Sequence, residues 1–239
     1  MKKLTLSFFV LLLFSSYSIA QDRVVNKSFS VNPTDQLQLK LKFGDTIRVK
    51  SWDKNEVLFK ATINVNNGKL NDALKLTYDK DRDQLTVASD YDEDVLRQGN
   101  SCDCSDDSLH KTRSSWSNGH GHYTVCSHIK YEVFVPAEIN MDVESISSNI
   151  ELVDLAGPVR AKSISGFVDL SRPSGQPAEI ALKTVSGEAY TNLDGLKFDN
   201  KKDHIPIVGY KLKGSLGAGG PSVSLESVSG NIYLRKAKS

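Results

Sequence analysis

An all-β fold, a single-domain β-solenoid or roll of stacked short strands with one polar insertion loop, is what this 239-residue sequence predicts. Three observations lead there. The segments SISSNIEL from Ser145, SISGFVDL from Ser163, TVSGEAYT from Thr184 and SVSGNIYL from Ser227 repeat one pattern. The chain ahead of them alternates apolar and polar residues at the period of two that a half-buried strand requires. No stretch has the length and 3.6-residue periodicity of a long amphipathic helix.

The first twenty residues are read separately. Lys2 and Lys3 precede a short apolar run from Leu4 to Leu13, and Ser18 and Ala20 stand two apart at its end. This is the pattern of a secretory signal peptide over 1–20, cleaved before Gln21. The run is too short for a comfortable span, and no later segment approaches the roughly 20 apolar residues that one needs. No cysteine follows the cleavage point to carry a lipid anchor. The expectation is an exported chain in the periplasm, on the outer surface or in the medium of a Gram-negative bacterium. Loss of Lys2 and Lys3 leaves 28 basic against 29 acidic side chains, a net of −1. Such a balance gives no electrostatic reason to expect nucleic acid or an acidic membrane as partner. The remaining 21–239 is long enough to bury a core as one domain.

Strands then follow one another. Leu37, Leu39, Leu41 and Phe43 alternate with Gln38, Lys40 and Lys42, and Gly44-Asp45 punctuates as a tight turn does. DTIRVKSW and VLFKATINV continue, a short helix is admissible over Leu70 to Leu76, and LKLTYD and QLTVASD add two more strands. Residues 91–127 break the rhythm with Ser, Asp, Gly, Cys and His and read as a long polar insertion. Strand character resumes at Ile129, and the clearest repeats occupy 139–235.

Aligned on Ser147, Ser165, Ser186 and Ser229, the repeats fall 18, 21 and 43 residues apart, the last close to two units. Alternation before each serine is out of phase with alternation after it. Since a strand cannot change its buried face without a bend, each unit is expected to contain two short strands meeting at a corner. Gly166, Gly187 and Gly230 then supply the positive φ that such a corner demands, with Ser148 in that slot in the first copy. Stacked units share a continuous core. Stacking in chain order would place Glu144 beside Lys162, a favourable cross-strand pair. An antiparallel sandwich is the alternative, although it does not require one four-residue corner to recur in phase.

The combination of GDTIRVKSWDKNEV, the YEVFVP segment and repeats of the form T-[IV]-S-G-x-[IV]-x-L resembles the secreted bacterial putative adhesin family built of β-strand repeats. The resemblance spans nearly all of 21–239 apart from the insertion. It implies the repeat fold and an adhesin-like role, and supplies no catalytic residues.

Chemistry is sparse. The insertion gathers Cys102, Cys104, His110, His120, His122, Cys126 and His128. Four of these are enough for a tetrahedral zinc, yet C-x-C, H-x-H and C-x-H are not the usual zinc-finger spacings. In an oxidising compartment a disulfide from Cys126 to Cys102 or Cys104 is the competing reading, with the third thiol left over, and a plain polar loop is another. Glu151 and Asp169 occupy matching sites in adjacent repeats, as paired carboxylates of a glycan-cleaving enzyme would, or as ordinary solvated residues would. GSLGAGGP lacks the lysine and helix of a phosphate loop. No cofactor is expected. The sequence points to a noncatalytic secreted or envelope protein that presents a sheet face for adhesion or scaffolding, with a cell-surface glycan or envelope protein as partner. The alternatives are an extracytoplasmic glycan-active enzyme and a metal-binding or redox-responsive module centred on the insertion.

Overall fold

A computed structural model of the chain describes residues 22–97, 112–118, 121–199, 209 and 211–237. The expected cleavage site lies outside these residues. The alternating N-terminal sequence forms β1 (Arg23–Ser30), β2 (Gln36–Leu41), β3 (Thr46–Trp52) and β4 (Glu56–Val65). A 3-10 turn at Asn71–Ala73 stands where a short helix was admissible, and β5 (Leu74–Asp81) and β6 (Gln84–Tyr91) follow. Asp92 then caps the one-turn helix α1 (Glu93–Leu96), its carboxylate accepting from the Asp94 and Val95 amides.

Part of the expected insertion is ordered strand. β7 (Thr112–Asn118) pairs antiparallel with β8 (Gly121–Pro136), which runs unbroken into the YEVFVP segment. Composition signalled a loop there, but pairing to a neighbouring strand overrides weak local preference.

The repeats supply β9 (Asn140–Ser145), β10 (Asn149–Val153), β11 (Val159–Ser163), β12 (Val168–Arg172), β13 (Ala178–Thr184) and β14 (Ala189–Thr191). After β15 (Leu196–Phe198) and β16 (Lys211–Leu216), the last repeat gives β17 (Ser222–Ser227) and β18 (Ile232–Lys236). The described strands form two mixed sheets. One runs β1-β4-β8-β3-β10-β12-β18-β14 with β7 also on β8, and the other β15-β16-β13-β17-β11-β9-β2-β6-β5.

Each repeat contributes one strand to each sheet, and the order is the same in both. β8, β3, β10, β12, β18 and β14 face β6, β2, β9, β11, β17 and β13. The N-terminal β2–β3 is therefore a further unit of the same kind, and β6–β8 another, with residues 92–120 inserted at its corner. Inward residues from both sheets form one apolar core, among them Leu39, Val143, Ala161 and Leu225 from one side and Val49, Leu152, Leu170 and Leu234 from the other. The same alternation turns Arg172 inward, where it is fully buried. Its guanidinium donates to the carbonyls of Gly157 at 3.2 Å and Ala156 at 2.8 Å, tying down the turn between β10 and β11.

Stacking order departs from chain order. β17 lies between β11 and β13, parallel to both. The expected Glu144–Lys162 neighbours are found, but the fourth repeat is inserted beneath the third instead of added above it. Side-chain charge favours this order. Register places Lys40, Glu144, Lys162, Glu226 and Lys183 in one alternating column, with Glu226 Oε1 3.8 Å from Lys162 Nζ and 3.5 Å from Lys183 Nζ. Chain order would have set Lys162 against Lys183. Cross-strand charge pairs are worth about 0.2–1 kcal/mol each, so the column biases order without supplying much of the stability.

The corner glycines also need correction. None of Gly166, Gly187 and Gly230 has a positive φ. Glycine is required because the corners nearly touch: a Cβ on Gly230 would lie 2.5 Å from the Gly166 carbonyl oxygen, one on Gly166 2.3 Å from that of Ser148, and one on Gly187 2.1 Å from that of Gly230. Buried or part-buried hydroxyls stitch the same column. Ser163 Oγ donates to Ser148 O at 2.8 Å, Ser227 Oγ to Gly166 O at 2.8 Å, and Thr184 Oγ1 to Gly230 O at 2.9 Å. In the first copy Ser145 Oγ donates to Ser148 Oγ at 2.9 Å.

Gly230→Ala is therefore expected to lower unfolding free energy by about 1–3 kcal/mol, the usual range for overpacking. Gly175→Ala, at φ +75° with open space around its Cβ site, is expected to cost only left-handed strain of about 1–2 kcal/mol and to leave the packing unchanged. Urea denaturation of both, with crystallography of the folded variants, checks this: displacement of the Gly166 corner should occur in the first alone.

Candidate functional site

The outer face of the first sheet carries an aligned row of polar and aromatic side chains. Alternation sends the residues between the core positions outward, and in-register stacking aligns them. Glu132, Arg48, Glu151, Asp169, Tyr233 and Tyr190 form one row across β8, β3, β10, β12, β18 and β14. Glu151 and Asp169 thus stand side by side, as the repeat spacing suggested.

Each carboxylate has an arginine. Arg48 Nε lies 3.4 Å from Glu151 Oε2, and Arg235 Nη2 lies 2.9 Å from Asp169 Oδ2. Arg235 also stacks over the Tyr233 ring, 4.7 Å from its centroid, and Tyr233 stacks on Tyr190 at 5.4 Å and 11°. Phe167 meets Tyr233 edge-on at 6.1 Å. Burial pushes the Asp169 carboxyl above its ordinary value, with Arg235 opposing and Glu151 reinforcing the rise. Two grooves lie on this face. One of about 290 Å³ is lined by Arg48, Glu151, Asp154, Asp169 and Arg235 among others. Its neighbour of about 310 Å³ is lined by Arg48, Lys50, Glu132, Phe134 and Val153 among others. Arg48 and Val153 belong to both.

The insertion residues are only partly described. Cys102, Cys104, His110 and His120 lie outside the described residues, while His122 falls on β8 opposite Ser117. Cys126 is buried on β8, its amide donating to Asn66 Oδ1 at 2.9 Å. His128 Nδ1 is 2.7 Å from Asp45 Oδ2, which also accepts the Ile129 amide at 3.1 Å. Among the described residues no group of three or more His, Cys, Asp or Glu is arranged to hold a metal ion. The corner serines bond chiefly through their backbone: the Ser165, Ser229 and Ser186 amides donate to the Ile146, Ile164 and Val228 carbonyls, and Ser186 Oγ also donates to Val228 O at 3.3 Å.

The arginine partners, the aromatic stack and the grooves were not legible in the repeats. Arg235 and Tyr233 share a strand with the last repeat, but its place beside β12 arises only from the stacking order.

The raised Asp169 carboxyl predicts a pH dependence. The folded state holds the Asp169 proton more tightly than the unfolded state, so this group's contribution to stability declines as pH rises above the ordinary 3.8 through the raised folded value. In Asp169→Asn that decline is absent. Unfolding free energies measured between pH 3 and pH 7 by urea are expected to shift relatively in favour of the variant as pH rises through that window. A shift in the opposite direction would show that attraction to Arg235 outweighs burial.

No protein-family model matches this chain, and no curated protein does. Several solved structures are similar at low sequence identity. A putative cell adhesion protein from Clostridium sporogenes ATCC 15579 is similar at 9% identity and TM-score 0.46, over 90% of this chain and 100% of that one. A putative adhesin from Bacteroides fragilis NCTC 9343 is similar at 9% identity and TM-score 0.31, over 91% of this chain and 98% of the other. A putative adhesin from Parabacteroides merdae ATCC 43184 is similar at 7% identity and TM-score 0.21, over 90% and 97% respectively.

Proposed function

We propose that this is a noncatalytic binding protein of the cell envelope or exterior, a short β-solenoid-like stack that presents the outer face of its first sheet to a surface molecule. The observation that carries this reading is the arginine-paired, grooved row Glu132–Arg48–Glu151–Asp169 ending in Tyr233 and Tyr190. Backbone hydrogen bonding fixes these side chains at regular spacing, which suits contact with an extended partner. An acid–base pair for catalysis needs one carboxyl free to give a proton and one free to take it, whereas here each is held by an arginine, Asp169 by Arg235 at 2.9 Å and Glu151 by Arg48 at 3.4 Å. Binding of residues 21–239 to whole bacterial and host cells, by flow cytometry, tests the proposal. Saturable binding lost in Arg48→Ala/Arg235→Ala is expected, and absence of binding to every cell type would remove it.

The raised carboxyl of Asp169 beside Glu151 favours one second reading, a glycan-active enzyme. Release of reducing sugar by the wild type, abolished in Glu151→Gln/Asp169→Asn, would establish it.

We further propose a disulfide between Cys126 and Cys102 or Cys104. It rests on the signal-peptide pattern and on the burial of Cys126. Intact mass of alkylated exported protein, before and after reduction, is expected to show one free thiol rising to three. Three thiols at the outset together with bound zinc would favour the metal-binding module.

A further inference from the structure

Resting on the binding reading above, we propose that the face takes a specific class of ligand: an uncharged linear glycan lying across β8, β3, β10, β12 and β18, perpendicular to the strands.

The two grooves form one trough, since Arg48 and Val153 line both. It crosses five neighbouring strands. At about 4.8 Å between strands its length is roughly 19 Å. That spacing is close to the advance of one pyranose unit in an extended β-linked chain, so successive sugars meet equivalent side chains on successive strands.

Charge selects an uncharged ligand. Four basic residues, Arg48, Lys50, Arg235 and Lys236, line the trough with four acidic ones, Glu132, Glu151, Asp154 and Asp169. The net charge is zero, and neighbouring partners are of opposite sign, as in Arg48–Glu151 and Arg235–Asp169. A polyanion such as a sulfated polysaccharide or nucleic acid would set its charges against four carboxylates. Sugar hydroxyls both donate and accept, so a neutral chain uses the guanidinium donors and the carboxylate acceptors together without displacing a charge partner.

Aromatic rings border the trough. Phe134 lies at the β8 end, 5.5 Å from Trp52. Tyr233 lies at the β18 end, next to Asp169 in register, in contact with Tyr190 and the Arg235 guanidinium. These contacts fix the rings, so little side-chain entropy is lost when a sugar meets their edges. A groove of similar volume on the second sheet, about 290 Å³, is lined by Lys40, Lys42, Glu144 and Lys162 beside Ile146 and Ile164; with three basic side chains to one acidic it lacks the charge balance of the trough.

Isothermal titration of residues 21–239 with neutral β-1,4-linked oligosaccharides of two to six units tests this, using glucose, mannose, xylose and N-acetylglucosamine series. Dextran sulfate serves as the charged comparison. At least one series is expected to bind, with affinity rising to about four units and then levelling, because the trough spans five strands. Tyr233→Ala and Glu151→Gln are expected to weaken binding tenfold or more with circular dichroism and melting temperature retained. Lys40→Ala on the other sheet is expected to leave it unchanged. Cell binding that persists with no oligosaccharide bound, or that survives Tyr233→Ala, would overturn the glycan trough and leave the broader binding reading standing. Tighter binding of dextran sulfate would overturn the choice of an uncharged ligand, whereas absence of any cell binding would remove the broader reading itself.

Discussion

Close contact between stacked corners is the constraint on which the rest depends. At each corner the backbone of one unit sits so near the next that the slot admits glycine or a folded-in serine, and a buried hydroxyl closes the contact by donating to the corner carbonyl beneath it. A hydrogen bond of this kind is worth about 1 kcal/mol net, but leaving the buried group unpaired costs about 1–3 kcal/mol. The hydroxyl and the glycine therefore act together to fix register. Because side-chain period in a strand is two, a slip of one residue would expose the core leucines and valines and bury the charged rows.

Fixed register is what gives the outer faces their meaning. On the second sheet it produces the alternating column from Lys40 to Lys183. On the first it aligns Glu132, Arg48, Glu151, Asp169 and two tyrosines. Individual exposed ion pairs on these rows contribute little to stability. Their value is in order and presentation: opposite charges favour one stacking sequence, and paired arginines hold the carboxylates in place on a rigid surface.

Burial adds a second layer of specification. Arg172 is a strand residue by pattern and inward by phase, and it survives there because the turn at Ala156-Gly157 offers two carbonyls to its guanidinium. Tyr131 is similarly enclosed, with its hydroxyl donating to Phe43 O at 2.9 Å. Burial holds its phenol well above the usual range. Both groups link units through backbone carbonyls, so the core resists sliding of one unit over another as well as separation of the sheets.

The sequence by itself determined the all-β class, the two-strand unit with a corner, the inward residues and the adjacency of Glu151 and Asp169, because period-two alternation and a recurring corner are local properties. The β2–β3 unit was partly legible too, since Leu41 to Asp45 has the same alternation-then-glycine form, but Phe43 in place of serine hid the kinship. Tertiary structure alone decided the insertion of β17–β18 between β11–β12 and β13–β14, the close-approach role of Gly166, Gly187 and Gly230, and the pairing of Asp169 with Arg235. The physical reason is the same in each case: these depend on which non-neighbouring segments lie side by side, and chain spacing does not encode that. The charges of Glu144, Lys162, Lys183 and Glu226 did hold a clue to the order, for only by alternating could they avoid setting Lys162 against Lys183.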